Sequence, residues 1–271
     1  MQQTPGPVSA DAPIGVFDSG IGGLSILRAL RHTLPDEDFI YVADTGHAPY
    51  GERDEDFVLA RAEHIAQELI ERRGIKLLVV ACNTATAAAI QALRARWPQC
   101  PIVGVEPALK PAAASSQTHR VGVLATRGTL ASEKFAQLQA SIVGATDFVL
   151  QPCDGLAAAI EDGDAARTTA LCQRYVHALG PLGARVGQID TLVLGCTHYA
   201  FAMDDFKRLA GPQVRILETG APVARRTRQL LQEAQRLRSA PHAGRLTLQS
   251  SGDLQALEAA AQRWLAGPAG A

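Results

Sequence analysis

The sequence predicts an α/β protein built from two similar lobes, each with a doubly wound, mostly parallel sheet, and a cleft between them. Short apolar segments alternate with longer amphipathic ones along most of the chain. Most of the short segments are continuously apolar, as expected of strands covered by helices on both faces. Two sequence patterns also occur twice, which predicts that the lobes resemble each other. In such folds, ligands bind at the carboxyl ends of the strands.

Nine short apolar segments are expected to form the strands. They are 14–20, 38–44, 77–82, 101–106, 120–126, 147–153, 190–196, 214–220 and 244–250. Each is bounded by polar, glycine or proline residues, and each is too short for a typical helix.

The amphipathic segments between the strands are expected to form helices. Segment 22–34 carries leucines at spacings of three, three and four residues, which places them on one helical face. Segment 54–73 opens with acidic residues and is followed by Gly74, which are start and stop signals of a helix. The alternation of strands and helices predicts right-handed crossovers between parallel strands.

The repeated patterns give the spacing of the two lobes. "IGVFDSGIGGL" resembles "VGVLATRGTLA", and "LVVACNTAT" resembles "LVLGCTHYA". The distance from Ser19 to Thr126 is 107 residues, and that from Cys82 to Cys196 is 114 residues. Because the two offsets are similar, each lobe is expected to contribute one cysteine at the end of a strand.

The repeat also suggests how the chain is divided. The first lobe is expected to comprise 14–108 and 214–265, and the second lobe 109–213. The polar segment 1–13 and the small-residue tail "AGPAGA" are expected to be disordered.

Composition and charge exclude several classes of protein. The chain has 271 residues, of which 47% are hydrophobic and 20% are charged, and this composition is typical of a globular protein rather than a disordered one. The net charge of −1 does not favour nucleic acid or anionic lipid, and the arginines of 225–229 are expected to form a solvated helix face. No segment has the pattern of a signal peptide or a membrane span, so a cytoplasmic location is expected.

Five cysteines form an odd set without a C-x-x-C spacing, which argues against a disulfide framework and against a zinc knuckle. Cys100, Cys153 and Cys172 are expected to be core residues. No histidines or acidic residues cluster around them in the pattern of a metal site.

Cys82 and Cys196 differ from the other three because each follows an apolar strand and precedes a helix. Unpaired N–H groups and the helix dipole at such a position stabilise an anion, so the pKa of the Cys82 thiol is expected to be lowered. The alternative for Cys82 is a packed core residue. A general base on one face of a carbon and a general acid on the other would invert a stereocentre, and His198, two residues after Cys196, could assist.

The strand ends also carry groups suited to a small zwitterion with an acidic side chain. Asp18, at the head of "DSGIGGL", would attract an ammonium group, while nearby amides and the start of the helix favour a carboxylate. Ser19, Asn83, Thr84 and Thr197 add neutral hydrogen-bonding groups. For Ser19 and Thr84 the alternative role is that of a helix cap, which uses the same geometry.

Seven motifs resemble those of bacterial glutamate racemases, members of the aspartate/glutamate racemase superfamily, and they occur in the same order. They are "DSGIGGL" (18–24), "DTGHAPYG" (44–51), "ACNTAT" (81–86), "GVEPALKPA" (104–112), "ATRGT" (125–129), "GCTHY" (195–199) and "ETGAPVARR" (218–226). The resemblance implies an isomerase that interconverts L- and D-glutamate without a cofactor or metal and supplies D-glutamate for peptidoglycan, and so for cell-wall biogenesis and cell shape.

The resemblance also implies roles for individual residues. Cys82 resembles the base toward D-glutamate and Cys196 the base toward L-glutamate, with Asp18 and His198 as their respective helpers. Glu161 resembles a further acid of the family, although a solvated carboxylate at a helix end is an equal alternative. The residues that match substrate-contacting positions are Asp18, Ser19, Tyr50, Gly51, Asn83, Thr84, Thr197 and His198.

Several questions remain open at this stage. Ala200 and Glu218 depart from the family pattern, at positions where packing or the cleft rim is expected to change rather than the chemistry. Aspartate racemase and hydantoin racemase are alternative activities within the superfamily, and a binding protein for an acidic amino acid is an alternative of another class. The partner is expected to be a small-molecule substrate, and a homodimer is one option for the oligomeric state.

Overall fold

Two parallel sheets with helices on both faces make up the protein, as the sequence predicts. A computed structural model describes residues 9–266. The predicted disorder of the termini therefore falls largely outside the described residues, with only 9–13 and Ala266 inside them. The strands are β1 (Ile14–Asp18), β2 (Phe39–Ala43), β3 (Leu77–Val80), β4 (Ile102–Gly104), β5 (Arg120–Ala125), β6 (Asp147–Pro152), β7 (Thr191–Gly195), β8 (Arg215–Leu217) and β9 (Leu246–Ser250).

All nine predicted strands are present, and the helices lie between them. The helices are α1 (Leu24–Thr33), α2 (Glu55–Gln67), α3 (Asn83–Arg96), α4 (Leu109–Ser115), α5 (Arg127–Ala131), α6 (Glu133–Ala140), α7 (Leu156–Glu161), α8 (Ala165–Ala178), α9 (Met203–Ala210), α10 (Gly220–Glu233) and α11 (Leu254–Leu265). Short 3₁₀ turns cover Thr45–His47, Tyr50–Glu52 and Thr197–Ala202, and a π turn covers Glu68–Arg72.

The two helices predicted in detail are confirmed. The segment predicted as 22–34 contains α1, and the segment predicted as 54–73 contains α2 and the π turn. Asp54 caps α2 by accepting a hydrogen bond from the Phe57 N–H at 2.7 Å. Gly74 ends the segment with a φ of 61°, in the left-handed region that glycine adopts at little cost.

The two sheets have the same strand order. The first runs β4-β3-β1-β2-β9 and the second runs β8-β7-β5-β6, and every pair of neighbouring strands is parallel. Strands β1 to β4 therefore correspond to β5 to β8, and β9 is an addition at the edge of the first sheet. This correspondence explains why the sequence patterns occur twice at similar offsets.

One predicted boundary is wrong. The repeat predicts that the chain returns to the first lobe at 214, but β8 hydrogen-bonds to β7 in the second sheet. Strand β8 is the counterpart of β4, so the return comes after Leu217. Helix α10, which follows, packs against α1 of the first lobe.

The inner strands β1, β3, β5 and β7 are buried on both faces, as their continuous apolar sequences predict, whereas the edge strands β6, β8 and β9 are partly exposed. In β3, Leu77 and Val79 pack into the cluster on one face of the first sheet, and Leu78 and Val80 pack into the cluster on the other face. Two further apolar clusters cover the faces of the second sheet. Within residues 9–266, no helix is long and apolar enough to cross a membrane.

A buried ion pair lies at the amino edge of the first sheet, opposite the strand ends that carry the cysteines. Lys76 Nζ contacts Glu37 Oε2 and the Ala10 carbonyl oxygen, and both side chains are almost completely buried. Glu37 Oε1 accepts a hydrogen bond of 3.0 Å from the Arg238 N–H. The pair therefore links the chain before β1, the loop before β2 and the segment after α10.

We expect Lys76→Met to lower the free energy of unfolding by about 3–5 kcal/mol, because Glu37 would remain buried without its cation. The double variant Lys76→Met/Glu37→Gln should recover part of this loss, since it removes the isolated charge but keeps an acceptor for the Arg238 N–H. Urea unfolding measures the difference. Arg72→Met, which breaks an exposed pair with Glu68, is the control and should cost less than about 1 kcal/mol. Equal losses in the single and double variants would contradict this account.

Candidate active site

A cavity of about 160 Å³ lies between the carboxyl ends of the two sheets. Both Cys82 and Cys196 line it, so the structure brings together the two thiols that the sequence singled out. The other predicted site residues on its wall are Ser19, Tyr50, Gly51, Asn83, Thr84, Glu161, Thr197 and His198. Asp18 is the exception, because its side chain is fully buried behind the wall.

The place of the two thiols follows from the strand order. In each sheet the order of strands reverses beside the central strand, β1 in the first sheet and β5 in the second. Ligands of doubly wound sheets bind at this reversal. Ser19 and Cys82 follow β1 and β3, and Thr126 and Cys196 follow β5 and β7, so each thiol has a hydroxyl residue on the neighbouring strand end.

Cys82 is the N-terminal cap of α3. Its Sγ accepts a hydrogen bond from the Ala85 N–H at 3.4 Å and lies 3.9 Å from Ser19 Oγ. The prediction of a lowered pKa is wrong, because burial raises the pKa of the Cys82 thiol well above its usual value and the nearby Asp18 raises it further. The Ala85 N–H acts in the opposite direction but is outweighed.

Asp18 connects the two lobes at the base of the cavity. Its Oδ1 accepts hydrogen bonds from Ser19 N–H at 2.6 Å and Ser19 Oγ at 3.1 Å, and its Oδ2 accepts one from Thr197 Oγ1 at 3.1 Å. Burial raises the pKa of the Asp18 carboxyl group, and His198 partly opposes this increase. Asp18 therefore contacts the cavity wall indirectly, through the hydroxyl of Ser19 in the first lobe and that of Thr197 in the second.

His198 stands between Cys196 and Glu161. Its Nδ1 lies 3.8 Å from Cys196 Sγ, and its Nε2 lies 2.6 Å from Glu161 Oε2. Burial alone would lower the pKa of His198, but its contacts with Cys196 and Glu161 raise it well above its usual value. Burial would likewise raise the pKa of Glu161, yet the contact with His198 keeps it below its usual value. Both shifts favour an ion pair of imidazolium and carboxylate.

Glu161 is the last residue of α7, and its carboxylate is not solvated as the alternative interpretation required. Both of its oxygens also accept a hydrogen bond from the Ile21 N–H, at 3.1 and 3.0 Å. Since Ile21 belongs to the first lobe and Glu161 to the second, this carboxylate is a second polar link between the lobes.

Glycines allow the lobes to approach closely around these groups. A Cβ atom at Gly22 would lie 2.2 Å from His198 Nδ1, and one at Gly20 would lie 2.3 Å from a carboxylate oxygen of Glu161. On the other side of the cleft, a Cβ atom at Gly51 would lie 2.8 Å from the Thr126 side chain. Gly20 and Gly22 of "DSGIGGL" thus leave space for side chains of the opposite lobe.

The alternative roles of Ser19 and Thr84 as helix caps are not observed. Helix α1 is preceded by Gly23, and α3 is capped by Cys82. Thr84 Oγ1 instead lies 3.1 Å from Thr126 Oγ1, across the cleft. Asn83 Nδ2 donates to the Val105 carbonyl, but its buried Oδ1 has no hydrogen-bond partner among the described residues.

Seven further residues line the cavity without a site role predicted from the sequence: Thr45, Ala48, Pro49, Thr126, Ala157, Ala158 and Asp162. Thr126 could have been found, because it occupies the position in the second repeat that Ser19 occupies in the first. The other six residues lie in loops and in α7, and the repeat does not relate them to any residue with a predicted site role.

The remaining cysteines and the two departures from the family pattern lie outside the cavity wall. Cys100, Cys153 and Cys172 are buried and unpaired by disulfides, which confirms their assignment to the core. Glu218 Oε2 accepts a hydrogen bond of 2.6 Å from the Gly220 N–H at the start of α10. Ala200 lies in the 3₁₀ turn that follows Cys196. Over residues 9–266, no cluster of three or more His, Cys, Asp or Glu side chains is arranged to hold a metal ion.

Comparison with known proteins gives consistent matches over most of the chain. The model of the Asp/Glu/Hydantoin racemase family matches residues 14–243. Glutamate racemase from Ectopseudomonas mendocina (strain ymp) is 48% identical over 252 residues, which are 92% of this chain and 93% of that protein.

Solved structures of glutamate racemases share the fold. The Francisella tularensis enzyme in complex with D-glutamate has a TM-score of 0.82 and 25% identity, over 96% of this chain and 95% of that one. The Escherichia coli enzyme in complex with L-glutamate and the activator UDP-MurNAc-ala has a TM-score of 0.79 and 33% identity, over 93% of this chain and 95% of that one.

The ion pair of His198 and Glu161 should make stability depend on pH. Because the pKa of His198 is raised in the folded state, its protonation contributes fully below its unfolded value of about 6.5, and the contribution is lost as the pH rises through the folded pKa. In Glu161→Gln the folded pKa should fall, so this contribution should shrink. NMR titration of His198 and urea unfolding above pH 6 measure both effects. Glu133→Gln, at an exposed position of α6, is the control, and an unchanged His198 titration in Glu161→Gln would contradict the assignment.

Proposed function

Because the chain belongs to the Asp/Glu/hydantoin racemase family, we propose that it interconverts L- and D-glutamate by proton transfer between the substrate Cα and the thiols of Cys82 and Cys196. The observation that carries this proposal is the position of the two thiols. They follow corresponding strands of two sheets with the same order, and they line one cavity. A carbon bound between them would have one sulfur on each face.

The reaction from L- to D-glutamate starts at Cys196. Its thiolate removes the proton from Cα, and the electron pair of the C–H bond moves into the α-carboxylate. The thiol of Cys82 then delivers a proton to the opposite face of Cα, which inverts the configuration. In the reverse direction the two residues exchange roles. The raised pKa of Cys82 is consistent with a thiol that waits as the acid in the L-to-D direction.

Each thiol has a polar group that can hold or balance charge. Protonated His198 places a positive charge near Cys196 Sγ, and Glu161 keeps the imidazole ring oriented and protonated. On the other side, Asp18 contacts Ser19, whose Oγ lies beside Cys82 Sγ. We assign Glu161 and Asp18 as positioning residues, since each acts through a side chain on the cavity wall.

Neutral donors and helix ends are proposed to bind the two carboxylates of the substrate. Within the described part of the chain, no lysine or arginine lines the cavity. Helix α3 starts at Asn83, directly after Cys82, and the 3₁₀ turn starts at Thr197, directly after Cys196. N–H groups at such starts attract carboxylates. The unpaired Oδ1 of Asn83 is suited to accept a hydrogen bond from the substrate ammonium group.

This mechanism uses only groups of the chain itself, so we propose that no cofactor takes part. The product D-glutamate would serve peptidoglycan synthesis, as the resemblance to glutamate racemases implies. We propose a cytoplasmic location on the same basis.

Replacing either active-site thiol should abolish racemisation. We expect Cys82→Ser and Cys196→Ser each to lower kcat at least about 10²-fold, because a hydroxyl is a much weaker acid than a thiol, so it donates its proton less readily and its anion, the active base, is hardly populated near neutral pH. In D₂O, the wild type should exchange the α-hydrogen of glutamate during turnover, as followed by NMR. Cys100→Ser, outside the cavity, should retain activity. Glutamate binding without any α-hydrogen exchange in the wild type would instead support a binding protein.

Glutamate should be preferred over aspartate. Circular dichroism of each amino acid incubated with the purified protein measures the loss of optical activity. We expect the rate for aspartate to be at least about 10-fold lower, because the shorter side chain cannot reach the same carboxylate donors while its Cα lies between the sulfurs. A faster reaction with aspartate or with a hydantoin would assign the chain to another activity of its family.

A further inference from the structure

A buried carboxylate lies behind the cavity wall and holds three side chains together. Asp44 follows β2, and its side chain is 1% exposed. Its Oδ2 accepts hydrogen bonds from Tyr50 Oη at 2.5 Å and from Arg61 Nε at 2.9 Å. Its Oδ1 accepts one from Arg61 Nη2 at 2.9 Å and lies 3.0 Å from His47 Nδ1. Arg61 thus grips Asp44 with two parallel hydrogen bonds.

The loop 45–52 that Asp44 holds is one wall of the cavity. Thr45, Ala48, Pro49, Tyr50 and Gly51 all line the cavity, and Tyr50 is only 1% exposed. At Gly51 this loop packs directly against Thr126 of the second lobe. Movement of the loop would therefore change both the shape of the cavity and the contact between the lobes.

Arg61 lies outside this wall, on α2, and does not line the cavity. Its side chain is 22% exposed, so it is held by its contact with Asp44 rather than by complete burial. Although burial would raise the pKa of Asp44, hydrogen bonds from Arg61 and Tyr50 hold it down, at about 2. Asp44 is therefore a carboxylate at neutral pH.

The charge of Asp44 matters because the proposed substrate carries two carboxylates. Among the described residues, the cavity wall includes the acidic residues Glu161 and Asp162 but no lysine or arginine, and the charge of His198 is already paired with Glu161. Arg61 balances the charge of Asp44 where water cannot screen it.

We propose that Arg61 is a positioning residue for substrate binding, which neutralises Asp44 and, through it, fixes Tyr50 and the wall loop 45–52. This inference rests on the proposed racemisation of glutamate. It predicts that loss of Arg61 weakens binding of glutamate more than it slows proton transfer, because Arg61 touches neither the substrate nor the thiols.

The test compares kcat and KM for L-glutamate in four variants. Arg61→Met should raise KM about 10-fold while kcat changes less than about 3-fold, as expected when binding is lost equally in the ground state and the transition state. Arg61→Lys keeps the charge without the planar fork, so its KM should be intermediate. In Arg61→Met/Asp44→Asn, KM should fall relative to Arg61→Met because the unbalanced charge is gone. Arg72→Met, on the exposed π turn after α2, should match the wild type.

The outcomes separate this inference from the proposed function. A wild type that does not racemise glutamate contradicts the proposed function. In that case the affinity of each variant for D-glutamate, measured by calorimetry, tests the role of Arg61, and the affinities should follow the order expected for KM. An unchanged KM in Arg61→Met would falsify the role of Arg61, as would a fall in kcat at constant KM. A double variant no better than Arg61→Met would show that charge balance is not what Arg61 provides. Melting temperatures of all variants identify any loss of fold.

Discussion

Because all strands of a parallel sheet run in the same direction, their carboxyl ends lie at the same edge of the sheet. This constraint determines where Cys82 and Cys196 lie. Each sheet has one reversal of strand order beside its central strand, and the loops on the two sides of that reversal diverge and leave a crevice. A residue that follows the central strand and a residue that follows its neighbour must therefore meet there. Because both sheets have the order 4-3-1-2 in corresponding strands, the same geometry occurs twice. Facing the two crevices toward each other is sufficient to bring Cys82 and Cys196 to one cavity from 114 residues apart.

The two halves of the site are related by this repeat, but their electrostatics differ. Cys82 is buried and lies near the carboxyl group of Asp18, and both features disfavour a thiolate. Cys196 lies beside a histidine that a buried carboxylate keeps protonated. The strand ends thus supply two similar positions, and the side chains around them make their electrostatic environments unequal. A reaction that needs one acid and one base at a time is served by such an inequality, provided that each group can change role.

The sequence was sufficient to predict the fold and most of the polar residues that line the cavity, but not their protonation states. Strand positions could be predicted because each strand is a continuous apolar run, and the pairing of the thiols could be predicted because the repeat is visible around Cys82 and Cys196. The pKa of Cys82 could not, since it depends on how deeply Asp18 and the thiol are buried, and local sequence does not encode that depth. The sheet to which β8 belongs could not be predicted either, because a strand of three residues carries no pattern that identifies its neighbouring strand. No role was predicted for Arg61, which lies outside the seven motifs, or for Asp44, because its motif "DTGHAPYG" does not show that the carboxylate is buried behind the wall and paired with an arginine of α2.

The contacts between the lobes suggest why glycine is concentrated in "DSGIGGL". Glu161 accepts the Ile21 N–H, Asp18 accepts the Thr197 hydroxyl, and the ring of His198 lies against Gly22. A side chain at Gly20 or Gly22 would occupy the space of Glu161 or His198, and so would separate the lobes at the point where the histidine must be oriented. The same backbone amide that closes the lobes also fixes the carboxylate that keeps His198 charged. The contact between the lobes and the charge of His198 are therefore coupled: if the lobes were separated at Ile21, Glu161 would lose a hydrogen bond that stabilises its negative charge, and its hold on the His198 proton would weaken.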